Sequence, residues 1–321
     1  MTDAKRSSPS ASGITVYSPT PLLTVTIEAR SDGQPELHIH AGGQGFWVAR
    51  MIARLGEKVT LCAPFGGDTG RLLKTLITEE QVQLNGIDIA GVSGSYVHDR
   101  RSGERAEICS VAGAKLDRHE DDDLYTTSFA AAMNAKITVL TGQFPQPVVP
   151  SSVYRRLASD LRGNGRRVIA DLSGDDLNEA LQGGIDVLCF SHEELVREGY
   201  ATGDSVKELI AGLDVLHQRG AQGIILHRGA EPSLVRIDGR ILEVVAPQVT
   251  PLDHRGGGDT FFAALAVGLS HDEDLEETIR FAAAAGTLNV TRHGLGTGRF
   301  EDIHALSKHV QINPVKARKA G

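Results

Sequence analysis

The stretch Arg255-Gly256-Gly257-Gly258-Asp259-Thr260-Phe261, followed by the apolar run Phe262 to Leu269, decides how this chain is read. Glycine lets a backbone turn sharply and offers no Cβ to block an approaching anion. The first N–H groups of a helix have no internal partner, and the positive end of the macrodipole lies behind them. A helix start of this kind is an anion site. A carboxylate beside a bound phosphate suits the removal of a proton from a hydroxyl that attacks the phosphoryl group. The segment alone leaves a second reading open, a glycine turn before a helix with Asp259 as its cap.

A chain of 321 residues accommodates one large α/β domain, or one with a small appendage. The net charge of -8 gives no reason to expect a nucleic-acid partner. Cys62, Cys109 and Cys189 form no CxxC pair and no metal-ligand spacing, which suits a reducing cytosol. No apolar run approaches the ~20 residues that span a bilayer, so no membrane association is expected and a cytoplasmic location is. Residues 1–12 are rich in Ser, Ala and Lys/Arg and read as a disordered tail rather than a signal peptide. Residues 313–321 read as a basic tail.

Working outward from the glycines, the chain alternates. Strands are expected at 14–17, 23–27, 37–40 and 59–63, with a helix from Gln44 to Leu55 whose apolar positions Val48, Met51, Ile52 and Leu55 recur at helical spacing. Gly66-Gly67 reads as a turn, 71–78 as a helix, 96–98 and 106–111 as strands, and 124–134 as a helix. From 137 onward strands and helices follow one another regularly to His227. That pattern argues α/β: a mostly parallel central sheet covered by helices on both faces. The strands near 14–40 and 94–111 interrupt the alternation and are expected to pair as a small β lid, within one unit spanning 13–312. In such sheets ligands sit beyond the carboxyl ends of the strands, where the glycine-rich segments 42–43, 66–67 and 256–258 converge.

The motifs resemble a known family. Gly256-Gly257-Gly258-Asp259-Thr260-Phe261 is similar to the GAGDxF signature of the PfkB carbohydrate kinases, which have a ribokinase-like fold. Ala41-Gly42-Gly43-Gln44-Gly45-Phe46-Trp47-Val48-Ala49-Arg50, with Leu55-Gly56 and Phe65-Gly66-Gly67-Asp68-Thr69-Gly70, resembles the GGKGxNVAR…LG…GGDTG run. That run marks the 1-phosphofructokinase and tagatose-6-phosphate kinase branch. Ala170-Asp171-Leu172-Ser173-Gly174 and Glu193-Glu194-Leu195 also match. No GxxxxGK[ST] loop is present.

The resemblance implies an ATP- and Mg²⁺-dependent kinase that phosphorylates a hydroxyl of a carbohydrate-like small molecule. It makes Asp259 the base and the N–H groups of Gly256, Gly257 and Gly258 the anion hole, with Arg255 either supplementing that hole or merely lying at the surface. It puts Glu194 in the outer shell of Mg²⁺, His227 and Gly229 at the nucleotide-contacting turn, and Asn289 beside the adenine pocket. Thr24, Gly42, Gly43, Gln44 and Trp47 fall at the acceptor positions. It also implies a homodimer joined through the lid.

Several of these positions depart from the pattern. Thr24 stands for Asp, Gln44 for Lys, Trp47 for Asn, and Ser191 for the Asn associated with magnesium. No arginine aligns near Val92 and Ser93, where the family grips the acceptor's phosphate; Arg100 and Arg101 lie further on. The lost groups make charged hydrogen bonds worth about 1.5–3 kcal/mol each, so the branch's ordinary sugar phosphates are expected to bind poorly. Trp47 reads either as a flat wall for a ring or as a core residue of its helix. Two alternatives follow from the same departures: a weak or inactive relative serving as a ligand or nucleotide sensor, and a nucleoside kinase with a base stacked on Trp47.

Overall fold

The structure is a computed structural model that describes residues 12–252, 255–292 and 294–315. The tail expected at residues 1–12 lies outside the described residues except for Ser12, whose N–H donates to the Asn134 carbonyl. The larger sheet runs from edge to edge as Gln311–Pro314, Arg240–Val245, Glu231–Ile237, Ala221–Arg228, Ile185–Ser191, Arg167–Asp171, Ile137–Thr141, Ile14–Tyr17, Val59–Cys62 and Gln83–Leu84. All neighbours from Ala221–Arg228 to Gln83–Leu84 are parallel, and the three strands beyond are antiparallel.

Parallel strands need cover on both faces, which explains their unbroken apolar runs. Ile137–Thr141 is buried at every position. Along these strands Val16, Val139 and Ile169 join one core with Val48 and Phe262, while Tyr17, Leu140 and Ala170 join the other with Tyr154 and Leu177. Chain order runs outward in both directions from the pair Ile14–Tyr17 and Ile137–Thr141. This is the switch point of the sheet, where the carboxyl ends open a crevice.

The smaller sheet has the order Pro35–Gly42, Leu22–Ala29, Gly94–Asp99, Ala106–Val111. Ile14–Tyr17, expected among these lid strands, is instead a central strand of the larger sheet. Its four residues are all buried, whereas Leu22–Ala29 alternates between buried and half-buried positions, the mark of a sheet with one open face. Register places Thr24 opposite His40 and Tyr96, and Thr26 opposite His38 and His98. Those side chains share the face towards the cleft. The other face carries Val25, Ile27, Leu37, Ile39 and Val97.

Strand Pro35–Gly42 passes straight into helix Gln44–Arg54 through the single residue Gly43, whose φ of 95° favours glycine. The turn expected at Gly66-Gly67 is shorter than read, because Gly67 already opens helix Gly67–Glu79. The basic tail also starts later than expected: 313 and 314 belong to strand Gln311–Pro314, and residues 316–321 lie outside the described residues. Pro314 is tolerated there because the strand is at the edge.

Gly45 brings helix Gln44–Arg54 against the end of strand Ile14–Tyr17, where an added Cβ would lie 2.3 Å from Ser18 Cβ. Gly45→Ala should cost about 1–3 kcal/mol through overpacking, read as a lower urea midpoint with an unchanged slope.

Candidate active site

Helix Gly257–Ser270 is buried along almost its whole length, so its polar end is the part of interest. Gly256 caps it in the left-handed region with φ 72°, and an added Cβ there would meet Leu295 at 2.5 Å. Gly257 lies under helix Leu275–Asn289, with Gly286 carbonyl oxygen and Val290 beside its missing Cβ, whereas Gly258 faces open space. Glycine at 257 therefore serves close helix packing, and Gly258 leaves room for a ligand. The first intrahelical bond runs from Thr260 N–H to the Gly256 carbonyl at 3.0 Å. The earlier N–H groups have no partner within the helix.

Asp259 sits in this first turn and lines a cleft of about 1130 Å³ between the lid and the larger sheet. Burial pushes its carboxyl up to about 6. Asp171, at the carboxyl end of strand Arg167–Asp171, lines the same cleft. Its carboxyl is pushed well above the usual range by burial first, then by the negative charges of Asp259 and Glu194, while a hydrogen bond from Gln44 opposes the rise. The Gln44 carboxamide also accepts from Gly142 N–H at 2.9 Å, tying the first turn of its helix to the switch point. Glu194 lines the cleft too. It forms a capping box with Ser191, accepting from Ser191 N–H at 3.1 Å and from Ser191 Oγ at 2.7 Å.

Of the acceptor positions, Thr24, Gly43, Gln44 and Trp47 line the cleft. Gly42 stands behind Thr24, where an added Cβ would lie 2.3 Å from Thr24 Oγ1. Trp47 answers to both of its readings: only 8% exposed and packed at 5.1 Å against Phe46, it still presents an edge to the cleft beside His40. Arg50 lies 5.7 Å above its ring and bonds Glu80 at 3.0 Å. Arg255 and Gly256 line the cleft from the helix side.

The nucleotide positions are not part of this wall. His227 and Gly229 lie at and just beyond the end of strand Ala221–Arg228. The His227 ring packs edge-on against Phe261 at 4.6 Å, and burial holds it neutral, down to about 4. Asn289 is 1% exposed, and its amide donates to the Arg255 carbonyl at 3.0 Å, bracing the loop that leads into Gly256.

Sequence reasoning missed most of the lid's contribution. His38 and His40 stand two apart on one strand and so face the cleft together. Tyr96, His98, Arg100 and Arg105 join them. His98 Nε2 and Thr26 Oγ1 are 3.2 Å apart. Burial, aided by neighbouring arginines, lowers both His40 and His98 to about 4. Asp171 belongs to a matched motif that carries no assigned role, yet an acid at a strand's carboxyl end in a parallel sheet is a signal by itself. Among the described residues no cluster of three or more His, Cys, Asp or Glu could hold a metal ion, and no helix is long and apolar enough to cross a membrane.

A parallel sheet under a β lid, with a buried acid at the glycine-led start of a helix, is the arrangement of the ribokinase-like phosphotransferases. The chain matches the model of the pfkB family carbohydrate kinases over residues 15–302 and belongs to that family. It is 30% identical over 259 residues to the ATP-dependent 6-phosphofructokinase isozyme 2 of Escherichia coli (strain K12), covering 79% of this chain and 82% of the relative. The 1-phosphofructokinase of Vibrio cholerae is 27% identical over 276 residues, or 86% of each chain. Among solved structures, phosphofructokinase-2 of Escherichia coli in complex with potassium superimposes with a TM-score of 0.83 at 24% identity, covering 93% of this chain and 99% of that one. Arabidopsis thaliana ribokinase complexed with ribose and ATP gives a TM-score of 0.75 at 24% identity, with the same coverage. The protein is thus a carbohydrate kinase that uses ATP.

The burial of Trp47 makes a measurable demand. Trp47→Ala should cost about 3–5 kcal/mol in chemical denaturation, and Trp47→Phe, which refills most of the cavity, should recover most of that loss.

Proposed function

We propose that the protein transfers the γ-phosphoryl group of ATP to a hydroxyl of a carbohydrate held beneath the lid, with Asp259 as the general base. The observation that carries this reading is the seat of Asp259. It is a buried carboxylate in the first turn of a helix whose N–H groups are left for an anion. Its proton affinity is raised towards neutrality, where a base is most effective. The N–H groups at Gly256, Gly257 and Gly258 stabilise charge on the phosphoryl oxygens, with Arg255 beside them. Thr24, Gly43, Gln44 and the edge of Trp47 hold the acceptor, with Gly42 keeping Thr24 in place.

The carboxylates fit Mg²⁺. Asp171 and Glu194 face one space, and the crowding of their negative charge with that of Asp259 is what a cation would relieve. Mg²⁺ takes one or two carboxylates, keeps waters and binds substrate phosphates, so a cluster of three protein ligands is not required. When bound, it neutralises charge on the phosphate oxygens. Glu194, with one oxygen held by Ser191, would support the hydrated ion from its outer shell. His227 and Gly229 border the nucleotide at the end of their strand, and Asn289 serves it indirectly by holding the Arg255 carbonyl.

Asp259→Asn keeps the shape but cannot take a proton. Its kcat should fall by about 10²–10⁴, with ATP affinity little changed. In the wild type the carboxyl becomes protonated below about pH 6. The kcat/KM should therefore be level above that pH and fall about tenfold per unit below it. A mutant retaining more than a tenth of wild-type turnover, or a profile flat through that pH, would remove Asp259 from this role.

The homodimer is part of the same reading. The outer face of the lid exposes Leu37 by 62%, Ile39 by 50% and Val111 by 49%. A second copy laid on this face would cover them and guard the sheet edges. Sedimentation at micromolar concentration should give a dimer, and Ile39→Asp should give a folded monomer. A wild-type monomer would contradict this assignment.

A further inference from the structure

Strand Ile137–Thr141 ends at the switch point, and the loop after it is tied down along its length. Gln143 is its anchor. The carboxamide oxygen accepts from Val148 N–H at 2.8 Å and from Val149 N–H at 2.9 Å, and Nε2 donates to the Val149 carbonyl at 3.1 Å and to both carboxylate oxygens of Asp176 at 3.2 Å. Gly142 N–H is held by Gln44, and Phe144 N–H donates to Thr20 Oγ1 at 3.1 Å. Prolines at 145, 147 and 150 restrict φ between these ties. Val148 and Val149 are buried, but Phe144 is 58% exposed and belongs to neither apolar cluster of the described residues. Its ring lines the same cleft as Asp259.

A single exposed apolar side chain on a protein surface is ordinary. An aromatic ring held out by a fixed backbone in the wall of a reaction cleft is not. Its place is on the acceptor side. Helix Gly257–Ser270 packs against strands Ile137–Thr141 and Ile14–Tyr17, so Asp259 stands near the ends of the strand that leads to Phe144. The turn at His227 and Gly229 follows a strand three places along the sheet, roughly 14 Å away at the usual strand spacing. We propose that Phe144 is a specificity-determining residue that stacks on a C–H face of the acceptor's sugar ring. This role rests on the kinase reading above and adds a demand for ring form. A cyclic sugar carries its hydroxyls around the rim and leaves carbon-bound hydrogens on its faces. Their partial positive charge suits the negative face of a benzene ring, and both surfaces shed water on contact. An open-chain polyol has the same hydroxyls but no flat face. Phe144 can neither move a proton nor stabilise an oxyanion, so its contribution falls on acceptor binding and not on the chemical step.

The test uses the full chain and matched pairs of ring and open-chain probes: ribose with ribitol, fructose with sorbitol, and fructose 6-phosphate with sorbitol 6-phosphate. Each is titrated by calorimetry in an AMP-PNP–Mg²⁺ background, and ADP release is followed with ATP. In at least one pair the wild type should bind the ring form more tightly. Phe144→Ala should weaken that ring sugar about 5–30-fold and erase most of its preference over the open chain. The KM for the sugar should rise, while kcat and the KM for ATP stay near wild type. Phe144→Trp should keep the preference, whereas Phe144→Leu, apolar but not flat, should keep only part of it. Because the side chain is exposed, the urea midpoint of Phe144→Ala should stay close to that of the wild type. Absence of a ring preference in every wild-type pair overturns the stacking role. So does a Phe144→Ala protein that weakens ring and open-chain probes equally, or that loses kcat instead of acceptor affinity. ADP release under Asp259→Asn is scored separately. Retained turnover there sinks the kinase mechanism, while a silent Phe144 substitution beside a dead Asp259→Asn sinks only the stacking role.

Discussion

A helix that is apolar on nearly every side can show polarity only at its ends. Helix Gly257–Ser270 is such a helix, buried among the helices on one face of the larger sheet. Its amino end therefore emerges at the carboxyl edge of the parallel strands with its N–H groups unspent. Other features of the cleft answer to that end. Gly256 supplies the left-handed entry, Asn289 holds the carbonyl just before it, and Gly286 lets the neighbouring helix pass close. The carboxylates of Asp259, Asp171 and Glu194 gather before it, and burial first, then the charges of Asp259 and Glu194, raise the proton affinity of Asp171. Two apolar clusters, one on each side of the sheet, hold the fold around this site.

Much of this architecture was legible in the sequence. The apolar runs of the central strands, continuous rather than alternating, mark a sheet covered on both faces, and the glycine-led acid marks the helix start that opens on the cleft. Regular alternation from 137 to 227 places the strand ends to about one residue, because every strand of it but the last is followed by a helix. The failures have physical causes. Ile14–Tyr17 was assigned to the lid by its nearness in sequence, yet its unbroken burial pattern belongs to the centre of a parallel sheet. The antiparallel strands Glu231–Ile237 and Arg240–Val245 went unread because charged residues at an open sheet face dilute their periodicity.

The site was less legible than the fold. Gln44, Glu194 and Asp259, carried by signatures whose spacing is local, all line the cleft. Arg105, His40 and His98 were not, because only strand register brings them to one face and only the closure of lid over sheet brings them near Arg255. Asn289 is placed by its motif position beside the nucleotide, and in the fold its amide nitrogen also braces the Arg255 carbonyl. Trp47 could not be divided between core and pocket by periodicity, since a residue off the centre of an apolar stripe belongs partly to each.

One joint has mechanical meaning. A single residue, Gly43, separates lid strand Pro35–Gly42 from the helix that begins at Gln44. There is no slack in such a connection. Tilting the lid must turn the first residue of the helix, and that residue holds both Gly142 and Asp171. A displacement of the lid would therefore be carried, like the movement of a lever's long arm, to the hydrogen bonds that Gln44 makes with Gly142 and Asp171.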